Sequence, residues 1–319
     1  MKMYMIIKKE FFTMRNLEKY HGVIPAFYAC YNDDGTVSAE RTKAFATYLL
    51  EKGVKGLYVC GSSGECIYQS KEERKLILEA VMEAVGDKMT IIAHVACNNT
   101  ADSMELAAHA ESLGVDAIAS IPTIYFRLPE DAIAKYWNDI SSAAPNTDFV
   151  IYNIPQLAGV SLTLPLYKKM LENPRVVGVK NSSMPTQDIQ TFKMIGGDDV
   201  VIFNGPDEQF IAGRTIGAEG GIGGTYGVMP ELFLKLDELL KKGDIKTANA
   251  LQHKVNAIIY AMCDCGCNMY AAAKEVLRLQ GIDIGSVRAP LMPLTEDGKP
   301  KAAAVKKMID EAKAEFLGA

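Results

Sequence analysis

Basic clusters are missing from this sequence. Its 34 Lys and Arg are outnumbered by 39 Asp and Glu, for a net charge of −5, and they never gather into runs. That excludes the positive footprint needed to hold nucleic acid or an anionic membrane surface, and leaves a small molecule as the expected partner. Long apolar runs are missing as well. The opening MKMYMIIKKEFF has a five-residue apolar stretch before two lysines, too short for a signal core or a membrane span. The seven cysteines are odd in number and scattered through 319 residues, which argues against a disulfide framework and for free thiols in a reducing cytoplasm. Metal-ligand spacing is scarce. CDCGC at 263–267 has no matching Cys or His pair to complete four ligands, and on a helix Cys263 and Cys267 would share a packed face. His94 sits in an apolar run and reads as a hydrogen-bonded core residue. GAEGGIGGTYG at 217–227 lacks the G-K-[ST] ending of a phosphate loop. No metal and no cofactor are expected.

What is present is alternation. Short apolar, β-branched runs recur at 23–28, 56–61, 90–96, 116–121, 149–154, 176–180, 200–205 and 219–224, each followed by a helical pattern. Parallel neighbours need crossover connections, so eight such runs alternating with helices predict an α/β fold, a (β/α)8 TIM barrel whose strands are buried on both faces. Ser70 with Glu73 forms a capping box, Thr163 with Pro165 opens a helix, and Gly114 accepts the left-handed end of another. After the eighth run only helical patterns follow. The expected organisation is an N-terminal extension at 1–13, poorly ordered, with Met14 as an alternative start; a catalytic barrel at 14–229; and C-terminal helices at 230–319 packed on it.

Reactive residues in such a barrel sit at the C-terminal ends of the strands. Lys180 closes the sixth run, where a lone cation is costly unless paired or deprotonated. Taken alone it is more often a solvated strand end, but its company changes that reading. The second run ends in GSSGE (61–65), the fifth in YNIP (152–155), the sixth in KNSS (180–183) and the seventh in NGPDE (204–208). Backbone N–H groups and the hydroxyls of Ser62 and Ser63 make a cradle for a carboxylate. Tyr152 offers a phenol for proton transfer. A desolvated Lys180 amine would attack a ketone, and Asp207 and Glu208 are acceptors for a polyhydroxylated substrate.

These ordered motifs, with GGIGGTYG at 220–227, resemble the class I aldolase barrels that include N-acetylneuraminate lyases and dihydrodipicolinate synthases, over nearly the whole chain from about Gly22. Within that family the lyases are the nearer match. The synthases place a carboxylate-binding arginine shortly after the tyrosine motif, and here those positions are Gln156 and Leu157. The resemblance implies a Schiff-base aldolase that reversibly cleaves N-acetylneuraminate to pyruvate and N-acetylmannosamine, assembled as a homotetramer. It implies that Lys180 forms the imine, that Tyr152 moves the proton with Tyr125 assisting, and that Ser62 and Ser63 hold the pyruvate carboxylate. Ser182, Gly205, Asp207 and Glu208 would contact the sugar. Two positions depart from the lyase pattern. Gly224 replaces a serine that touches substrate, removing a hydrogen bond worth about 0.5–1.5 kcal/mol, and Pro206 stands where an aromatic is usual. The alternatives are the same chemistry on another 2-keto acid, a shorter sugar acid or the aldehyde of lysine biosynthesis, and a silent barrel that only binds sialic acid.

Overall fold

Each of the eight apolar runs becomes a strand: β1 Gly22–Pro25, β2 Gly56–Val59, β3 Thr90–His94, β4 Ala117–Ser120, β5 Asp148–Asn153, β6 Val176–Asn181, β7 Val201–Asn204 and β8 Gly220–Gly223. The structure is a computed structural model describing residues 17–318; the expected extension at 1–13, with its alternative start, lies outside the described residues. All strands pair in parallel in the order β1-β8-β7-β6-β5-β4-β3-β2. A parallel bridge between Ala26 and Tyr58 joins β1 to β2, and Phe27 N donates to Tyr58 O at 2.9 Å, which closes the sheet into a barrel. Burial on both faces is near complete along every strand, because one face meets the barrel interior and the other the surrounding helices.

Two apolar layers follow. Inside, Ile24, Tyr58, Ile92, Val150, Val177, Val201, Phe203 and Ile222 fill the barrel. Outside, the helices pack a larger core against the sheet: α1 Ala39–Glu51, α2 Lys71–Val85, α3 Thr100–Ser112, α4 Glu130–Ser142, the short α5 Pro155–Ala158, α6 Leu164–Met170, α7 Gln187–Gly196 and α8 Phe210–Thr215. The sequence signals at their ends are realised. Ser70 and Glu73 make both bonds of a capping box on α2, the Thr163 side chain caps α6, and Gly114, beyond α3, has φ +78°. The N-terminal end of the barrel is plugged by the turn Leu17–Tyr20. Tyr20 is fully buried there and donates to Asp148 Oδ2 at 2.7 Å. The opposite, C-terminal end is the one that opens to a cavity.

Helix α9 (Pro230–Lys241) packs on β1 and α8 and so completes the ring of helices. Three further helices follow it, α10 (Ile245–Cys263), α11 (Met269–Leu279) and α12 (Lys299–Leu317). Helix α10 ends at Cys263 and α11 starts after Asn268, so CDCGC is a turn and not a helical face. Cys263 is exposed and Cys267 only half-buried, which corrects the shared packed face expected for the two. All seven thiols are free. Among the described residues no helix is long and apolar enough to cross a membrane.

Candidate active site

The open end of the barrel holds a cavity of about 290 Å³ lined by Ser62, Ser63, Tyr152, Gln156, Leu157, Lys180, Ser182, Gly205, Pro206, Asp207, Glu208, Gly224 and Tyr270, among others. Strand register explains the assembly. Tyr152 on β5 is directly opposite Lys180 on β6, and partners in adjacent parallel strands point to the same face, here inward. Their neighbours Asn153 and Asn181 also pair and point the other way. Asn153 Nδ2 donates to Asn181 Oδ1 at 2.7 Å, and Asn181 Nδ2 donates to Ser183 Oγ at 2.9 Å. Asn204, which ends β7, donates to Pro206 O at 2.7 Å. Three strand-end asparagines thus tie down the loops that carry the reactive groups.

Lys180 is 3% exposed. Among the described residues no carboxylate lies within ion-pair distance of its amine; Nζ sits 3.9 Å from the Tyr152 ring centroid and 4.3 Å from that of Tyr58. Aromatic faces favour an ammonium by about 2 kcal/mol when desolvated. Burial acts in the opposite sense and wins, pulling the amine from 10.5 down to about 7 while Asp207 pulls it up. The uncharged amine is therefore accessible at neutral pH, where an ordinary lysine is fully protonated. Burial also pushes the Tyr152 phenol up to about 12, and the neighbouring Ser62 and Ser182 hydroxyls hold it back.

Asp207 lies in the loop after β7, the strand next to that of Lys180. Its Oδ2 accepts from Thr225 N at 2.6 Å and Thr225 Oγ1 at 2.5 Å, whereas Oδ1 is buried without a partner. Burial raises its carboxyl to about 7, Glu208 adds to the rise, and Thr225 and Lys180 oppose it. The unpartnered Oδ1 lies on the Gly223 and Tyr226 side of the loop, where a Cβ at Gly223 would fall 2.0 Å from it. Glu208 is exposed at the rim. Helix α10 fixes this loop: Gln252 Nε2 donates to Asp207 O at 3.1 Å, and Asn256 Nδ2 donates to Glu208 O at 3.1 Å. Glycine is required at 205, where a Cβ would fall 2.0 Å from Ser182 Oγ.

The GSSGE turn carries strain. Cys60 and Glu65, which bracket it, have φ of +59° and +55°, a conformation that costs non-glycine residues energy and persists only when the surroundings enforce it. The enforcing contact is a buried ion pair, Lys274 Nζ to Glu65 Oε1 at 2.7 Å, with both side chains essentially inaccessible. His94 is no ligand. Its Nδ1 lies 3.0 Å from Cys60 O, Nε2 accepts from Ile121 N, and burial keeps the ring well below its usual pKa, hence neutral. No metal-binding cluster occurs among the described residues.

Residues 19–309 match the model of the dihydrodipicolinate synthetase family. The chain belongs to that family. It is 61% identical over 306 residues to the N-acetylneuraminate lyase of Mediterraneibacter gnavus, covering 96% of this chain and 97% of that one. It is 32% identical over 298 residues to the N-acetylneuraminate lyase of Enterobacter sp. strain 638, covering 93% and 99%. A solved structure of the Ruminococcus gnavus sialic acid aldolase, a catalytic lysine mutant, superposes with a TM-score of 0.94 at 61% identity and covers 95% of this chain and all of its own.

As a member of this family the chain gathers all but one of its sequence-predicted site residues. Ser62, Ser63, Tyr152, Lys180, Ser182, Gly205, Asp207, Glu208 and Gly224 share one cavity. Tyr125 does not join them: it is 90% exposed, has φ +82°, stacks edge-on against Phe126, and lines a separate surface cleft with Asn98, Tyr136 and Asp139. Within one chain it and Tyr152 line different clefts. Sequence reading also missed residues. Tyr58, Thr225 and Tyr270 touch the reactive groups, yet a tyrosine in an apolar run or a threonine in a loop gives no local sign of it. The asparagines do leave a sign, since YN, KN and FN each end a run.

Proposed function

We propose that this chain is a class I aldolase that reversibly cleaves N-acetylneuraminate to pyruvate and N-acetylmannosamine. The observation that carries the reading is the placement of Lys180: an amine held near pKa 7 by burial and set beside the Tyr152 phenol. The neutral amine attacks the C2 ketone and water leaves, giving a protonated imine. Loss of the C4 hydroxyl proton lets the C3–C4 bond break; its electron pair flows into the imine to form an enamine, and the aldehyde departs. Protonation at C3 and hydrolysis then release pyruvate and restore the amine. The Tyr58 and Tyr152 faces that flank Nζ stabilise the cationic imine. With its pKa near 12 the Tyr152 phenol is protonated at pH 7, so it acts as a relay: it takes the C4 hydroxyl proton as it passes its own on, and the proton released at C4 is balanced by the one taken up at C3 of the enamine.

Ser62 and Ser63 hold the carboxylate in this reading, and Asp207 and Glu208 face the sugar part. Assembly as a homotetramer and a cytoplasmic location are part of the proposal, the second supported by seven free thiols; light scattering measures the first. Tyr125 assists only if a neighbouring subunit brings it to the mouth.

Borohydride added with pyruvate should reduce the imine and fix the three-carbon unit on Lys180, located by peptide mass. An unlabelled Lys180 at saturating pyruvate removes the mechanism. Turnover should be highest on N-acetylneuraminate when compared with shorter 2-keto sugar acids and with pyruvate plus the aldehyde of lysine biosynthesis. Tyr152→Phe should lower cleavage about 10²–10⁴-fold, the usual worth of a positioned proton carrier, while Lys180 still traps pyruvate. Full activity in that variant would hand the proton transfer to another group.

A further inference from the structure

We propose that Tyr270, on the helical layer outside the barrel, positions the Ser63 hydroxyl and thereby sets affinity for the keto-acid half of the substrate. This deepens, and rests on, the aldolase reading above. The geometry is direct. Ser63 Oγ donates to Tyr270 Oη at 3.0 Å, Tyr270 lines the Lys180 cavity, and both hydroxyls abut residue 224. A Cβ at Gly224 would lie 3.2 Å from Ser63 Oγ and 3.3 Å from Tyr270 Oη. The phenol therefore occupies the space into which a side chain at 224 would grow, and it supplies a hydroxyl there from a different element.

A hydroxyl has one proton to give, and Ser63 directs its own to Tyr270. When a carboxylate arrives, Ser63 turns its proton to the ligand and Tyr270 Oη–H donates to the freed Ser63 lone pair, so the serine stays oriented and its bond to the anion is polarised. Helix α11 is anchored at the rim by Lys274, which lies one turn beyond Tyr270 on the same face and pairs with Glu65 in the GSSGE turn. Burial raises the Tyr270 phenol well above its ordinary pKa, so it stays a donor throughout the working range.

The test is the pyruvate concentration that gives half-maximal borohydride trapping on Lys180. Tyr270→Phe, which keeps the ring, should raise it about tenfold, with the KM for N-acetylmannosamine in the synthesis direction changed less than twofold. Ser63→Ala should give a similar rise, and the double variant should be no worse than either single one. Gly224→Ser should weaken pyruvate in the native background, through crowding against Oη, and restore it in Tyr270→Phe. A merely structural Tyr270 would move both substrates together. Half-saturation within twofold of the unmodified protein, additive losses in the double variant, or an equal rise for both substrates would each overturn the proposal. Failure of the unmodified protein to trap pyruvate on Lys180 would instead sink the aldolase reading.

Discussion

Lys180→Met should lose about four orders of magnitude or more of cleavage while becoming more stable than the unmodified protein below pH 7. Both effects have one cause. The amine is buried between the Tyr58 and Tyr152 rings with its pKa pulled from 10.5 to about 7, so the fold bears the cost of an ammonium that water would stabilise. Below pH 7 the lysine is charged in both folded and unfolded chains, and that cost is present in full. Between pH 7 and 10.5 the unfolded chain keeps the proton that the native one has lost, so stability rises with pH. Removing the amine removes this dependence. Methionine fills the space left by the lysine stem, which alanine would leave as a cavity. Urea unfolding at pH 6 and pH 9 should show the stability gap between variant and unmodified protein narrowing by about 2–3 kcal/mol as pH rises. A gap that stays constant or widens would mean that the amine is not depressed, and its nucleophilicity at neutral pH would be lost with it.

Strand periodicity made the barrel legible because the runs buried on both faces have no other use in a chain of this length, and the caps at Ser70 and Thr163 fixed where the crossovers begin. The rim motifs were legible because each follows a run directly, so chain order already gave position. Three things were not. The mouth of the barrel is finished by α10 and α11, more than 40 residues beyond Asp207; a contact at that separation leaves no local pattern. The Glu65–Lys274 pair spans 209 residues, and a charged residue in an amphipathic helix reads as solvated until a partner is placed on it. Tyr125 was assigned by motif, and a motif fixes a residue's place along the chain, not which surface its side chain meets. CDCGC fails in the same way: the residues suit a helix, but Gly266, with φ +73°, turns the chain there.

Lys274→Met should be the costliest single substitution for stability among the ion-pair residues. Glu65 has its carboxylate sealed from solvent, accepting from Lys274 Nζ at 2.7 Å and from Arg288 N at 2.8 Å. Lys274 also donates to Ser286 O at 2.7 Å and lies over the Tyr31 ring. Two desolvated charges in such a pair offset much of their own hydration loss, so the pair itself contributes little; one charge left behind offsets nothing, and costs about 3–5 kcal/mol. For a chain of this size that is a fall in Tm on the order of 10 °C. Lys274→Met with Glu65→Gln should recover part of the loss, because glutamine keeps an acceptor for Arg288 N without a bare charge. Lys306→Ala, which breaks the exposed Lys306–Asp310 pair at 2.7 Å, should change stability by less than about 0.5 kcal/mol. Differential scanning calorimetry on the three variants measures this order. If the exposed pair proves as costly as the buried one, or the double variant is worse than Lys274→Met, then Glu65 is not the charge that holds α11 to the GSSGE turn. The strained backbone at Glu65 would then rest on the bond from Arg288 N and on Gln69 Nε2, which donates to Gly64 O at 2.9 Å.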